Sequence, residues 1–143
     1  MCGIIGIASN KAVSTNIIES LKRLEYRGYD SAGLATLHDN HIQEKKCTGR
    51  VEKLEKILFK TPALGSVGIG HVRWATHGVP NKINAHPHSS EIVSVVHNGI
   101  IENSDELKKD LEVNGVKFKS QTDTEVITLL LTEEIKNETP IKS

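Results

Sequence analysis

Apolar residues fall into short runs with two different periods, and the periods name the elements. Cys2-Gly3-Ile4-Ile5-Gly6-Ile7-Ala8 is β-branched and bounded by polar residues, which predicts a buried strand. Ile17, Ile18, Leu21 and Leu24 then recur at helical spacing. Asn16 with Glu19 supplies a plausible cap, and the helix is expected to stop near Arg27-Gly28. Gly33 to Leu37 and Ile42 to Lys46 read as a hairpin turning at Asp39-Asn40. Val51, Leu54, Ile57 and Leu58 predict a second helix closed by Pro62. Val67 to Arg73 and Ile92 to His97 read as strands separated by a Pro- and His-rich loop. A third helix runs from Asn103 and Glu106 through Leu107 and Leu111 to Asn114-Gly115. Thr122 with Glu125 reads as a capping box opening a fourth, through Val126, Ile127, Leu130 and Leu131. Helices and strands in alternating clusters, with hairpins, predict a layered α+β fold rather than a purely parallel sheet. Four helices with five or six strands are a lopsided set for closing a sandwich, so the expectation is an incomplete domain.

Composition narrows the class. A chain of 143 residues is long enough for one soluble domain. Eighteen basic residues balance eighteen acidic ones, which argues against nucleic acid or an anionic membrane as partner. No apolar run approaches the roughly 20 residues of a membrane span, and the N-terminus lacks the pattern of a secretion signal. One Trp, two Tyr and two Phe leave little for base or sugar stacking. Two cysteines make no disulfide framework, so a reducing cytoplasm is the expected compartment.

Cys2 is the sharpest chemical feature. If Met1 is trimmed, its thiol lies beside its own α-amino group, and such amines titrate near about 7.7–8.0, suited to a general base. The competing reading is a small buried hydrophobe at a strand start. Cys47, with no partner nearby in sequence, reads as structural. Gly70 to Gly78 runs an apolar strand into Arg73, Trp74, Thr76 and His77. Arg73 offers a fork of donors matched to a carboxylate, or else pairs with a surface acid. Thr76 and His77 add donors beside it, and Trp74 either packs in a core or covers a pocket. Asn98-Gly99 is a hairpin turn or an oxyanion hole built from a side-chain amide and a backbone N–H. Asp123 belongs to a helix start or accepts a substrate ammonium. His86-Pro87-His88 with His71, His77 and His97 raises the question of a metal. Pro87 disfavours a regular strand, and no His-Glu-x-x-His pattern accompanies them, so no metal is expected.

Six separated segments together resemble one family: Cys2 to Ile7, Leu24 to Gly33, Gly70 to Gly78, Asn84 to His88, His97 to Asn103 and Gln121 to Val126. They resemble the N-terminal glutaminase domain, a class II glutamine amidotransferase, of the glutamine–fructose-6-phosphate aminotransferases. The likeness runs from Met1 to about Ile135. It implies the N-terminal-nucleophile hydrolase fold, a four-layer αββα sandwich, and no cofactor. It also implies roles: Cys2 attacks the glutamine side-chain amide, Asn98 and Gly99 form the oxyanion hole, and Arg73 binds the α-carboxylate with Thr76 and His77. Asp123 takes the α-ammonium, Arg27 and Gly28 lie in the loop beside the nucleophile, and Trp74 gates.

Sister glutaminases are the rivals. Amidophosphoribosyltransferases carry a His-Arg-Gly-Gln-Asp type segment where this chain has Tyr26-Arg27-Gly28-Tyr29-Asp30, and asparagine synthetases an Arg-Gly-Pro-Asp type. A non-catalytic truncated remnant is the alternative of a different class. The family's glutaminase domain is longer and is followed by sugar isomerase domains that carry the fructose 6-phosphate site. Residues 1–143 are therefore expected to be the N-terminal part of the domain, with the isomerase domains absent and low activity in isolation. The resemblance further implies a homo-oligomer for the full-length enzyme.

Overall fold

The computed structural model describes residues 2–74 and 79–138. The expected first strand is β1, Gly3–Ala8, followed by helix α1, Ser14–Leu24, and a 3₁₀ turn, Glu25–Arg27. Asn16 does not cap α1: the helix begins two residues earlier and its flanking residue, Val13, makes no side-chain cap. β2, Ser31–His38, and β3, His41–Thr48, form the hairpin, and Asp39 and Asn40 both take positive φ, as a tight type I′ turn requires. Helix α2 spans Val51–Lys60 and β4 spans Val67–Arg73.

Sequence distant along the chain supplies the α2 cap. One Glu25 carboxylate oxygen accepts the Val51 backbone N–H at 2.7 Å and the other pairs with Arg50 at 3.1 Å. An acid at the helix N-terminus satisfies an orphan donor and the dipole together. It also anchors the turn that leads into Arg27 and Gly28.

The four strands form one antiparallel sheet in the order β1-β4-β2-β3. Its two faces have different chemistry. Toward α1 and α2 it presents Ala32, Leu34, Cys47 and Val72, which close a core with Ile17, Ile18, Leu21, Val51 and Leu54. Gly68 and Gly70 sit on that face, where any Cβ would collide with Ile17, so α1 lies directly on the sheet. The opposite face carries Gly33, Lys46, Ile69 and His71, and meets a second, two-stranded sheet of β5, His88–Ser89, and β6, Ser94–Val95.

The contact between the sheets is tight at one point. A Cβ on Gly33 would overlap the backbone carbonyl of His86, and Lys46 Nζ donates to the Pro87 carbonyl at 3.1 Å. Beyond the second sheet lies α4, Thr124–Glu138, with α3, Ser104–Val113, beside it. Thr128 Oγ1 donates to the His88 carbonyl, and Thr132 Oγ1 to Ser90 Oγ, so α4 is hydrogen-bonded onto the β5 side of the sheet. The layers therefore run helix, sheet, sheet, helix.

Three expectations need correction. The strand expected over Ile92 to His97 is paired only at Ser94–Val95, because His97 to Gly99 turn away toward a pocket. The capping box does not form: Glu125 instead accepts the Lys119 and Ser120 backbone N–H groups at 2.9 and 2.6 Å, while Thr122 Oγ1 meets His88 Nε2 at 2.7 Å. α3 begins at Ser104 with no side-chain bond from Asn103, although its end is as expected. There Gly115 N–H bonds the Glu112 carbonyl and Val116 N–H the Leu111 carbonyl, a Schellman closure with Gly115 at positive φ. Among the described residues, no helix is long and apolar enough to cross a membrane.

Candidate active site

The ends of β1 and β4 lie side by side, because Gly3 pairs with Val72. Antiparallel pairing thus brings residue 2 against the Arg73–Trp74 backbone across 70 residues of chain. The Trp74 backbone N–H donates to Cys2 Sγ at 3.3 Å, and the thiol faces the Trp74 carbonyl at 3.6 Å. Gly28 closes the third side. A Cβ there would come within 2.6 Å of the Arg73 carbonyl carbon and oxygen and 2.7 Å of Trp74 N. The loop can lie against the strand end only with glycine at that position.

A cavity of about 410 Å³ opens at this junction, lined in part by Cys2, Arg27, Arg73, Trp74, Asn98, Gly99 and Asp123. Five chain segments far apart in sequence converge here. Gly28 lies behind the wall, and Thr76 and His77 fall outside the described residues. Arg73 is buried at the base of the strand end. Trp74 is half exposed at the rim, with Tyr29 edge-on to its ring at 5.7 Å and the Arg50 guanidinium over Tyr29. Asp123 is half-buried just before α4, and one of its carboxylate oxygens accepts the Ile101 backbone N–H at 2.8 Å. That bond ties the segment after Asn98-Gly99 to the start of α4, so these two walls move together.

The chemistry of this set is that of a soft nucleophile beside a divided charge pattern. A thiol sits near a side-chain amide and a glycine N–H, with a guanidinium on one side and a carboxylate on another. Such an arrangement can hold an amino acid by both α-substituents while its side chain reaches sulfur.

Histidines form the part that reading the sequence for chemistry left without a place. His71, His86 and His88 stack edge-on between the two sheets, with ring centroids 4.3 and 4.9 Å apart. His71 Nε2 lies 2.9 Å from Asn98 Oδ1. His86 and His97 line the cavity, as do Thr122 and Thr124. The available signal was strand alternation: His71 and Arg73 share the β4 face that packs away from the helices. Among the described residues, no group of three His, Cys, Asp or Glu is arranged to hold a metal ion. Cys47 is in the core against α2, where burial pushes its thiol pKa up.

Burial lowers the pKa of all three stacked imidazoles. His71 is brought down to about 4, against the opposing effect of its bond to Asn98 and of the nearby His97 backbone, and His88 to about 3. His86 is pushed down furthest, by burial and then by its neighbours His71 and His88. The unfolded chain protonates these rings near pH 6.5 and the folded chain resists, so their contribution to stability is complete above pH 6.5. It is lost progressively as pH falls below 6.5, down to about 4 for His71, about 3 for His88 and lower still for His86. Unfolding free energies from urea titrations are therefore expected to drop steadily between pH 6.5 and 4, by on the order of 1 kcal/mol per pH unit for each histidine. A flat profile over that window would show that the rings are not held neutral.

Fold, site and comparison converge at this point: the chain belongs to the glutamine amidotransferase domain family, whose model matches residues 71–142. The curated relatives it resembles are named glutamine–fructose-6-phosphate aminotransferase (isomerizing). That of Bradyrhizobium diazoefficiens is 54% identical over 131 residues, covering 92% of this chain and 22% of the relative. That of Bartonella henselae is 53% identical over 137 residues, covering 96% of this chain and 23% of the relative. The chain thus spans a little over a fifth of the relatives' length. Among solved structures it superposes on a glutamine phosphoribosylpyrophosphate amidotransferase from B. subtilis, complexed with ADP and GMP. The TM-score is 0.77 at 27% identity, covering 96% of this chain and 32% of that one. A structure described as the allosteric regulatory enzyme of purine biosynthesis gives the same TM-score at 28% identity. The four layers are those of the N-terminal-nucleophile hydrolase amidotransferases.

Proposed function

We propose that this chain carries the glutaminase centre of an enzyme that makes glucosamine 6-phosphate and glutamate from fructose 6-phosphate and glutamine. The observation that carries the reading is the convergence of Cys2, Arg73, Asn98, Gly99 and Asp123 on one cavity. In this reading residues 1–143 are the N-terminal part of a class II amidotransferase domain. The sugar isomerase domains that take up the ammonia lie elsewhere in a cytoplasmic, homo-oligomeric parent.

The reaction follows from the residues. With Met1 removed, the Cys2 α-amine takes the thiol proton, directly or through water, and sulfur attacks the side-chain amide carbon of glutamine. A C–S bond forms, and the carbonyl electron pair moves onto oxygen, where the Asn98 amide and Gly99 N–H stabilise it. Return of that pair expels the amide nitrogen, which leaves as ammonia carrying the proton from the α-amine. Water then attacks the thioester, releasing glutamate and restoring the thiol. Arg73, with Thr76 and His77, holds the α-carboxylate. Asp123 holds the α-ammonium, with Oδ2 engaged by the Ile101 N–H at 2.8 Å and Oδ1 meeting only the Thr124 hydroxyl, at 3.5 Å. Arg27 and Gly28 frame the nucleophile, and Trp74 stands at the mouth.

The natural protein is expected to release glutamate from glutamine, to lose that activity on thiol alkylation, and to be indifferent to chelators. Sensitivity to chelators with resistance to alkylation would overturn the reading in favour of a metallohydrolase. Stimulation by fructose 6-phosphate rather than phosphoribosyl pyrophosphate separates the proposed parent from its sister class.

A further inference from the structure

His71 is wholly buried on β4, on the face that meets the second sheet, and it does not line the cavity. Its Nε2 is 2.9 Å from Asn98 Oδ1, while Asn98 itself is exposed at the cavity wall. Nδ1 is buried without a hydrogen-bond partner among the described residues. A buried ring tolerates an unpaired lone pair better than an unpaired N–H, so the proton belongs on Nε2, donating to the Asn98 oxygen. An amide held by its oxygen has its nitrogen on the opposite side of Cγ. The imidazole therefore decides which edge of Asn98 the cavity receives. Without it, an exposed asparagine side chain rotates freely, and half of its orientations would present a repelling oxygen to a developing oxyanion.

We propose that His71 is a positioning residue: its Nε2–H fixes the Asn98 amide so that the amide N–H, not the carbonyl, faces the developing oxyanion. The role rests on the glutaminase reading of the cavity and deepens it. His71 touches no substrate atom. It acts through Asn98, and the edge-on His86 ring packed against it keeps the imidazole from turning.

The test exploits the different reach of two amides, carried out on the natural full-length protein. The side-chain nitrogen of glutamine can occupy the position of Nε2, whereas that of asparagine reaches only as far as Nδ1. His71→Gln is expected to keep kcat for glutamine hydrolysis within about threefold of the parent. His71→Asn is expected to lower it roughly 10- to 100-fold, part of the loss typical of removing an oxyanion donor, with KM little changed. Combining His71→Asn with Asn98→Ala should cost no more than Asn98→Ala alone, because both remove the same donor. Equal activity in the Gln and Asn variants would overturn the proposal. So would losses that multiply in the double variant, or an effect confined to KM. Cys2→Ala, run in parallel, reports on the underlying reading. If the unsubstituted protein releases no glutamate the glutaminase reading fails, and if Cys2→Ala still hydrolyses glutamine the nucleophile assignment fails; if Cys2→Ala is inactive while His71→Asn is not impaired, only the positioning role fails.

Discussion

Cys2→Ala will abolish glutamine hydrolysis, lowering kcat by on the order of 10⁴-fold or more, because Cys2 supplies the only thiol that lines the cavity among the described residues. Binding of glutamine should change by only a few-fold. The described groups assigned to its α-substituents, Arg73 and Asp123, sit at the end of β4 and just before α4, and neither depends on the sulfur. The pair of measurements is glutamate release and equilibrium binding. Normal turnover in the variant would sink the nucleophile assignment. Cys47→Ala is the internal control: its thiol lies in the helix-facing core, so substitution should lower stability and leave the bound rate of hydrolysis alone.

Gly33→Ala is the largest expected effect on the fold itself. The added Cβ would occupy the position of the His86 carbonyl and crowd the Lys46 side chain. The obstruction is backbone, in the bend just before β5, so no rotamer change relieves it and the two layers must part. Overpacking of well-filled interiors costs roughly 1–3 kcal/mol, and this position belongs at or above the upper end. Moving His86 also moves the ring against His71, so the variant should lose activity beyond its loss of stability. Denaturant midpoints and glutamine hydrolysis, measured below the unfolding range, check both. An unchanged midpoint would mean that the sheets are not in close contact at Gly33.

Local periodicity was enough for the elements that carry their own signals. α1 and α2 show one apolar stripe each, Asp39-Asn40 is a turn by its tolerance of positive φ, and Asn114-Gly115 ends α3 by the geometry only glycine adopts freely. The errors share a cause. Asn16 and Thr122 look like caps from the residues beside them, but the N-terminus of α2 is satisfied by Glu25 from another element. Glu125 serves the preceding loop rather than its own helix. The second sheet is too short for alternation to register, since its strands are held by what stacks on them rather than by their own pattern.

The candidate site was legible as a list of chemical types and as a family likeness, not as a shape. Arg73 suggests a carboxylate and Asn98-Gly99 an oxyanion by chemistry alone, yet nothing local says that they share a cavity. His71 was hidden for the opposite reason. Its neighbours Gly70 and Val72 belong to the helix-facing core, which makes the segment read as an ordinary apolar strand. A buried imidazole on the other face becomes meaningful only when the second sheet is seen to lie over it.

The strand order carries a consequence for timing. β1 is the first strand to be synthesised, but its sheet neighbour among the described strands is β4, whose paired residues come 59 to 69 positions later. At about 5–20 residues per second, translation takes roughly 3–13 s to deliver that partner. Through that interval the first strand has no partner in its own sheet. Pairing with β4 then seats Cys2 against the Trp74 backbone. The wall that holds the thiol is therefore a late product of synthesis, although the thiol itself is among the first residues made.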